Sequence, residues 1–352
     1  MNTDPIRRSL IVAGLGATLP ALPFGRARAQ QQSSVRRPES PFRIYAITFR
    51  GSTDVERGFA DYFSSRKIPV QIIYRDLNRD MTLMPGFVDE IRATRPDLIY
   101  TWGTSVTLGV IGPCDAVNRR AHITDIPVVF TLVAAPVLAK IVPPGGAARR
   151  NVTGVVHVAP VEAQIKAMAA YRPFQTLGVL YTPTEQNSVA VHAEIRKLGR
   201  SNGFGVVSRT FRLDENGKVH AEGAADLVRE LKEAKAQWLY LPPDSFLGTL
   251  AQDVIIPAAM AAGLPTFAST EQLMQAGALS GLVSRYYNVG QFTAHKAEQI
   301  LVGGRAAAAI PIETLKRFSY QIRISAAEKL KLPPPLPMFS YAEIITDAPR
   351  VE

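Results

Sequence analysis

LGVLYTPTEQNSVAVHAEIRKLGRSNG, residues 177–203, carries a strand signal, a turn signal and a helix signal in immediate succession. Leu177 to Thr182 is a short apolar run with an aromatic residue, the composition of a strand covered on both faces. The next residues, to Ser188, are Thr, Pro, Glu, Gln, Asn and Ser, which favour turns and helix caps. From Ser188 to Gly199 the apolar Val191, Ile195 and Leu198 recur at i, i+4 and i+7, while Glu194, Arg196 and Lys197 take the other side. That spacing predicts an amphipathic helix, and strand, turn and helix together make one βα unit.

The same rhythm extends in both directions. Strands are predicted at 42–49, 70–76, 98–103, 126–132, 152–157, 206–213, 237–242 and 264–269, and a further helix at 224–234 presents Leu227, Val228 and Leu231 on one face. Repeated βα units point to parallel sheets covered by helices on both faces, with right-handed crossovers. The Pro/Gly-rich segment 143–151 separates two such series. The chain therefore reads as α/β, with two Rossmann-like lobes. Its tail changes character, with a helix-like 290–304, an extended 316–325, a short helical AAEKLKL and then PPPLP. Such a tail can give a helix to the first lobe and a strand to the second, so that several strands form the hinge. The expected division is 42–152 plus about 280–309 for the N-terminal lobe, and 153–279 plus about 310–340 for the C-terminal lobe.

The first residues read differently. Paired Arg7 and Arg8, an apolar run from Leu10 to Leu22 and Ala27-Arg28-Ala29 make the three parts of a cleaved export signal, residues 1–29. Adjacent arginines ahead of a Gly/Ala-diluted run point to the twin-arginine route and a periplasmic destination. The run holds Gly14, Gly16 and Pro20 and falls short of the roughly 20 apolar residues that span a bilayer. Residues 30–41 read as a polar leader of low order.

Composition narrows the function classes. The chain has 352 residues, 47% of them hydrophobic, and 40 basic against 30 acidic side chains, a formal +10. Residues 1–29 hold four arginines and one aspartate, which leaves +7, spread along the chain rather than gathered into a phosphate-gripping block. Nucleic acid is thus not an expected partner. The single cysteine, Cys114, excludes an internal disulfide and a multi-thiolate metal site. The five histidines show no H-x-H or H-E-x-x-H spacing, and no G-x-S-x-G elbow occurs, so neither a metal, a cofactor nor a catalytic residue is expected.

In open parallel sheets ligands lie beyond the carboxyl ends of strands. Gly103, Thr104 and Ser105 follow a strand and open a helix, where backbone N–H groups and two hydroxyls can hold an anion such as a carboxylate. Asp244, after the strand ending at Leu241, can pair with a ligand cation. Phe49, Trp102, Tyr286 and Tyr287 offer aromatic walls. The loops after the other strands add Glu185, Asn187, Ser188 and Glu271.

These segments, with NVTGV (151–155), YLPPDS (240–245), LPTFASTEQLMQAGALSGLVSRYYNVGQFTAHKAEQILVGG (264–304) and the closing Leu-Pro-Pro-Pro, resemble the ABC-transporter substrate-binding proteins of the tryptophan/tyrosine type. The resemblance covers nearly all of 42–335. It implies a type I periplasmic-binding-protein fold, a small-molecule ligand such as an amino acid or an aromatic or other organic acid, delivery to an ABC permease in the inner membrane, and no turnover. It puts the first-lobe ligand loop on Trp102–Ser105, an E-x-N-S loop on Glu185, Asn187 and Ser188, and an acidic loop on Asp244. One departure stands out: Val133-Ala134-Ala135-Pro136 replaces the Thr-Asp-Pro-like turn common in relatives, and with it a carboxylate. The protein is expected to act as a monomer. A periplasmic sensor coupled to a membrane kinase and an exported α/β hydrolase with Ser105 as nucleophile remain as alternatives.

Overall fold

The computed structural model describes residues 40–144 and 150–346; the export signal, most of the leader and most of the 143–151 separator lie outside the described residues. Strands β1 (Phe42–Thr48), β2 (Val70–Asp76), β3 (Leu98–Trp102), β4 (Val128–Val133) and β5 (Val152–Val156) come first. They are followed by β6 (Thr176–Tyr181), β7 (Gly205–Thr210), β8 (Trp238–Leu241), β9 (Thr266–Ala268) and β10 (Ser280–Val283). Three short strands close the chain: β11 (Glu313–Thr314), β12 (Ser319–Arg323) and β13 (Glu343–Ile345).

The helices alternate with them. α1 (Asp54–Ser65), α2 (Met84–Thr94) and α3 (Gly103–Ile111) belong to the first series. α4 (Val161–Tyr171), α5 (Gln186–Asn202), α6 (Ala224–Glu233), α7 (Ser245–Leu250), α8 (Ile256–Ala261) and α9 (Glu271–Gln275) belong to the second, followed by α10 (Tyr286–Leu301) and α11 (Ile324–Leu330).

Two sheets result, ordered β11-β5-β4-β3-β1-β2 and β13-β12-β10-β9-β8-β6-β7. Among the described strands every pairing is parallel except β10 with β12. Period-2 alternation sorts the core residues of each strand. Ile44 and Ala46 face Phe59, Phe63 and Val289, whereas Tyr45 and Ile47 face Val88, Ile91 and Val106. The second sheet does the same with Trp238 and Tyr240 against Leu239 and Leu241. Burial on both faces is why these strands read as continuous apolar runs.

The crossings between sheets fall at other positions than the sequence suggested. β5 keeps residues 152–156 in the first sheet, paired with β4 and β11, so the first crossing follows Val156 rather than Val152. Residues 280–283, grouped above with the first lobe, pair with β9 and β12 in the second sheet, and β11, grouped with the second, pairs with β5 in the first. Strands of two to four residues carry too little pattern to show which sheet they join; their neighbours decide it. Lys296, fully buried in α10, ties this region together by donating to Pro311 O at 2.6 Å and Glu313 Oε2 at 2.8 Å.

α10 packs across α1 at two buried glycines. A Cβ on Gly58 would lie 2.1 Å from the carbonyl oxygen of Tyr287, and one on Gly290 2.0 Å from that of Val55. Both clashes are with backbone, which cannot swing aside. We expect Gly290→Ala to destabilise the protein by about 1–3 kcal/mol despite alanine's better helix propensity, because overpacking forces the helices apart. Gly86→Ala in α2, where a new Cβ meets nothing within 4 Å, should be neutral or stabilising by up to about 1 kcal/mol. Thermal unfolding of the two variants gives the opposite signs if the crossing is as described.

Candidate functional site

Both sheets reverse their strand order at an early strand, β2-β1-β3 in one and β7-β6-β8 in the other. Helices on either side of such a switch point diverge and leave a crevice at the carboxyl ends. One cavity of about 150 Å³ joins the two crevices. Phe49 and Arg50 reach it after β1, Trp102 to Ser105 from the end of β3 into α3, Glu185 and Asn187 after β6, and Pro243 to Ser245 after β8. Leu132, His157, Thr270, Gln272 and Tyr286 complete most of the wall.

On the first-sheet side, Phe49 stacks on Trp102 with ring centroids 6.4 Å apart and planes at 14°. Arg50 lies 5.0 Å from the Trp102 ring centroid and donates to Gln272 Oε1, so one guanidinium reaches from the first sheet's loops to the second's. Burial lowers the Arg50 pKa from its ordinary value. Gly103, at φ +80°, turns the chain from β3 into α3, a conformation that costs a glycine nothing. No side chain caps α3, so the N–H groups of its first turn are left for a ligand or water.

On the second-sheet side, Asp244 organises the loops. Its Oδ1 accepts from Leu247 N and Thr182 Oγ1, both at 2.9 Å, and its Oδ2 from Thr182 N and Ser188 Oγ, both at 2.7 Å. Glu185 accepts from Ser245 N and Phe246 N, each at 2.9 Å, at the start of α7. Burial, and then the neighbouring Asp244 charge, push the Glu185 pKa up to about 7. Asn187 donates from Nδ2 to Pro243 O.

Nine of the twelve residues singled out in the sequence thus line one cavity: Phe49, Trp102, Gly103, Thr104, Ser105, Glu185, Asn187, Asp244 and Tyr286. Ser188 and Glu271 do not. Ser188 is fully buried and spends its hydroxyl on Asp244. Glu271 accepts from Arg285 Nη1 at 3.2 Å and Tyr286 N at 2.5 Å, and so joins α9 to α10. Asp244 lines the cavity, but its carboxylate is occupied by four donors and serves the loops rather than standing ready for a ligand cation. Tyr287, offered as a wall, bonds Asp61 on the α1 side instead.

Arg50, His157 and Leu132 are among the lining residues that the sequence did not single out. Arg50 follows a strand and an aromatic, a signal that was available. His157 ends a strand-like run, and burial lowers its pKa to about 4 while Val133 takes one ring nitrogen. Leu132 had no signal: it sits at φ +52° where the β4–β5 register shifts between Phe130 and Val133, and the bulge brings it to the cavity wall. Among the described residues no group of three His, Cys, Asp or Glu side chains can hold a metal ion, and no helix is long and apolar enough to cross a membrane.

The family described as ABC transporter substrate binding protein matches residues 78–342. Among solved structures, a conserved domain protein from Vibrio cholerae O1 biovar El Tor strain N16961 has 20% identity and a TM-score of 0.75, over 88% of this chain and all of that one. An ABC domain in complex with L-Trp from Streptococcus pneumoniae has 19% identity and a TM-score of 0.72, over 86% and 100%. A ligand-free, open substrate binding protein with adhesive properties from Clostridium difficile has 19% identity and a TM-score of 0.67, over 87% and 100%. No curated protein matches the chain. The structural likeness shows the fold, that of type I periplasmic binding proteins.

The raised Glu185 pKa has a definite pH signature. Between its ordinary 4.5 and about 7 the folded protein holds a proton that the unfolded chain has released. The native state binds more protons there, so stability falls as pH rises through this window. Thermal unfolding from pH 4.5 to 7.5 should show that decline, and Glu185→Gln should flatten it.

Proposed function

The chain belongs to the ABC transporter substrate-binding protein family, and on that premise we propose that it captures one small organic solute in the cavity between the two sheets and passes it to an ABC permease in the inner membrane. The carrying observation is the convergence of both switch-point crevices on one cavity, with Arg50 reaching across to Gln272. A solute held there touches loops of both sheets. It therefore binds the closed arrangement better than the open one and shifts the population toward closure. The Streptococcus pneumoniae structure holds L-Trp; in this protein the stacked Phe49 and Trp102 would grip the apolar part of a solute, and the first turn of α3 a polar end. Working site, in this reading, is the periplasm, reached through the signal at 1–29, and the working unit is a monomer.

A thermal-shift screen of small organic solutes tests this. A solute bound only by the folded state at about 1,000 times its Kd adds about 4 kcal/mol of stability, which raises the melting temperature by on the order of 5–10 °C. Phe49→Ala should weaken binding of the same solute roughly tenfold by removing one stacked wall. A screen with no stabilising solute, or full affinity in Phe49→Ala, would remove the support for the cavity as the capture site.

A further inference from the structure

The charges around the cavity decide more than its location. Among the described residues three charged side chains line it: Arg50, Glu185 and Asp244. A carboxylate offers about four lone-pair sites, and Asp244 gives its oxygens to four donors of its own loops. Glu185 gives one oxygen to each of two backbone N–H groups. Arg50, by contrast, spends on Gln272 one of the five donors of its guanidinium.

Donors accumulate on the same wall. The uncapped first turn of α3 opens beside Arg50. Trp102 and His157, 7% and 5% exposed, both line the cavity, and each leaves a buried ring nitrogen without a partner, Nε1 and Nδ1. Indole Nε1 is a donor only.

Size sets the other bound. A cavity of about 150 Å³ is of the order that takes a single benzene ring. Resting on the solute-receptor reading, we propose that the solute is a small monocarboxylate, of one ring or a short chain, that carries no ammonium group, and that Arg50 is the counter-charge that selects it. The carboxylate lies between the Arg50 guanidinium and the N–H groups of α3, and the apolar part against Phe49, Trp102 and Leu132. An amino acid of the same skeleton would bring its ammonium beside the Arg50 guanidinium, to a wall where Asp244 is saturated and Glu185 already accepts two backbone N–H groups, and would lose hydration for a weaker return.

Matched sets separate this proposal from the reading beneath it. Titration calorimetry on the full protein would compare phenylacetate, phenylacetamide, phenylglycine and benzylamine, and likewise propionate, propionamide, alanine and ethylamine. In at least one set the carboxylate is expected to bind at least tenfold more tightly than its amide, amino acid and amine. Arg50→Gln should lower that affinity at least tenfold, and Arg50→Lys should restore part of it. An amino acid, amide or amine binding as well as the acid overturns the proposal, as does unchanged affinity in Arg50→Gln. Binding of neither set, with a sugar or another solute bound in the broader screen, overturns the carboxylate class and leaves the receptor reading standing. Should that screen also find nothing, both fall.

Discussion

Parallel pairing is the constraint on which the remainder rests. Parallel strands need a crossover at every step, and the crossover helices must cover the sheet. All strand ends of one polarity then gather on one edge, and where strand order reverses the helices part. Because β1 and β3 flank one reversal and β6 and β8 the other, the loops after these four strands supply Phe49, Arg50, Trp102, Thr104, Glu185 and Asp244 to one space. The cavity is a consequence of topology before any side chain is chosen.

Side-chain chemistry then divides the labour unequally between its two walls. The second-sheet wall is cross-linked, with Asp244 tying Thr182, Ser188 and Leu247, and Glu185 tying Ser245 and Phe246. Burial first, and the neighbouring Asp244 charge second, hold the Glu185 carboxyl above the usual carboxylate range. The first-sheet wall is the opposite: a guanidinium over an indole, an uncapped helix turn, and ring nitrogens without partners. One side holds the architecture, and the other has hydrogen-bonding capacity to spare.

Much of this was legible in the residues. Strand runs such as Leu177–Thr182 and helix spacing such as Val191, Ile195 and Leu198 report local burial, and local burial is what a periodic sequence encodes. The loops after those strands were identifiable for the same reason, so most of the singled-out residues arrive at the cavity. Ser188 and Glu271 looked equivalent to their neighbours because a polar residue at a helix start has the same appearance whether it meets a ligand or another loop. Their partners, Asp244 and Arg285, lie 56 and 14 residues away, beyond the reach of the local pattern, and only folding introduces them.

By itself, then, the sequence determined the α/β class, the βα rhythm and the strand-end loops that matter, because each of these follows from periodicity and composition within a dozen or so residues. Tertiary structure alone decided which sheet claims β10 and β11, that Asp244's carboxylate is already engaged, and that Arg50, Leu132 and His157 share one cavity. The reason is physical: strand pairing, donor saturation and a positive-φ bulge are properties of residues brought together from distant parts of the chain, and no local pattern records them.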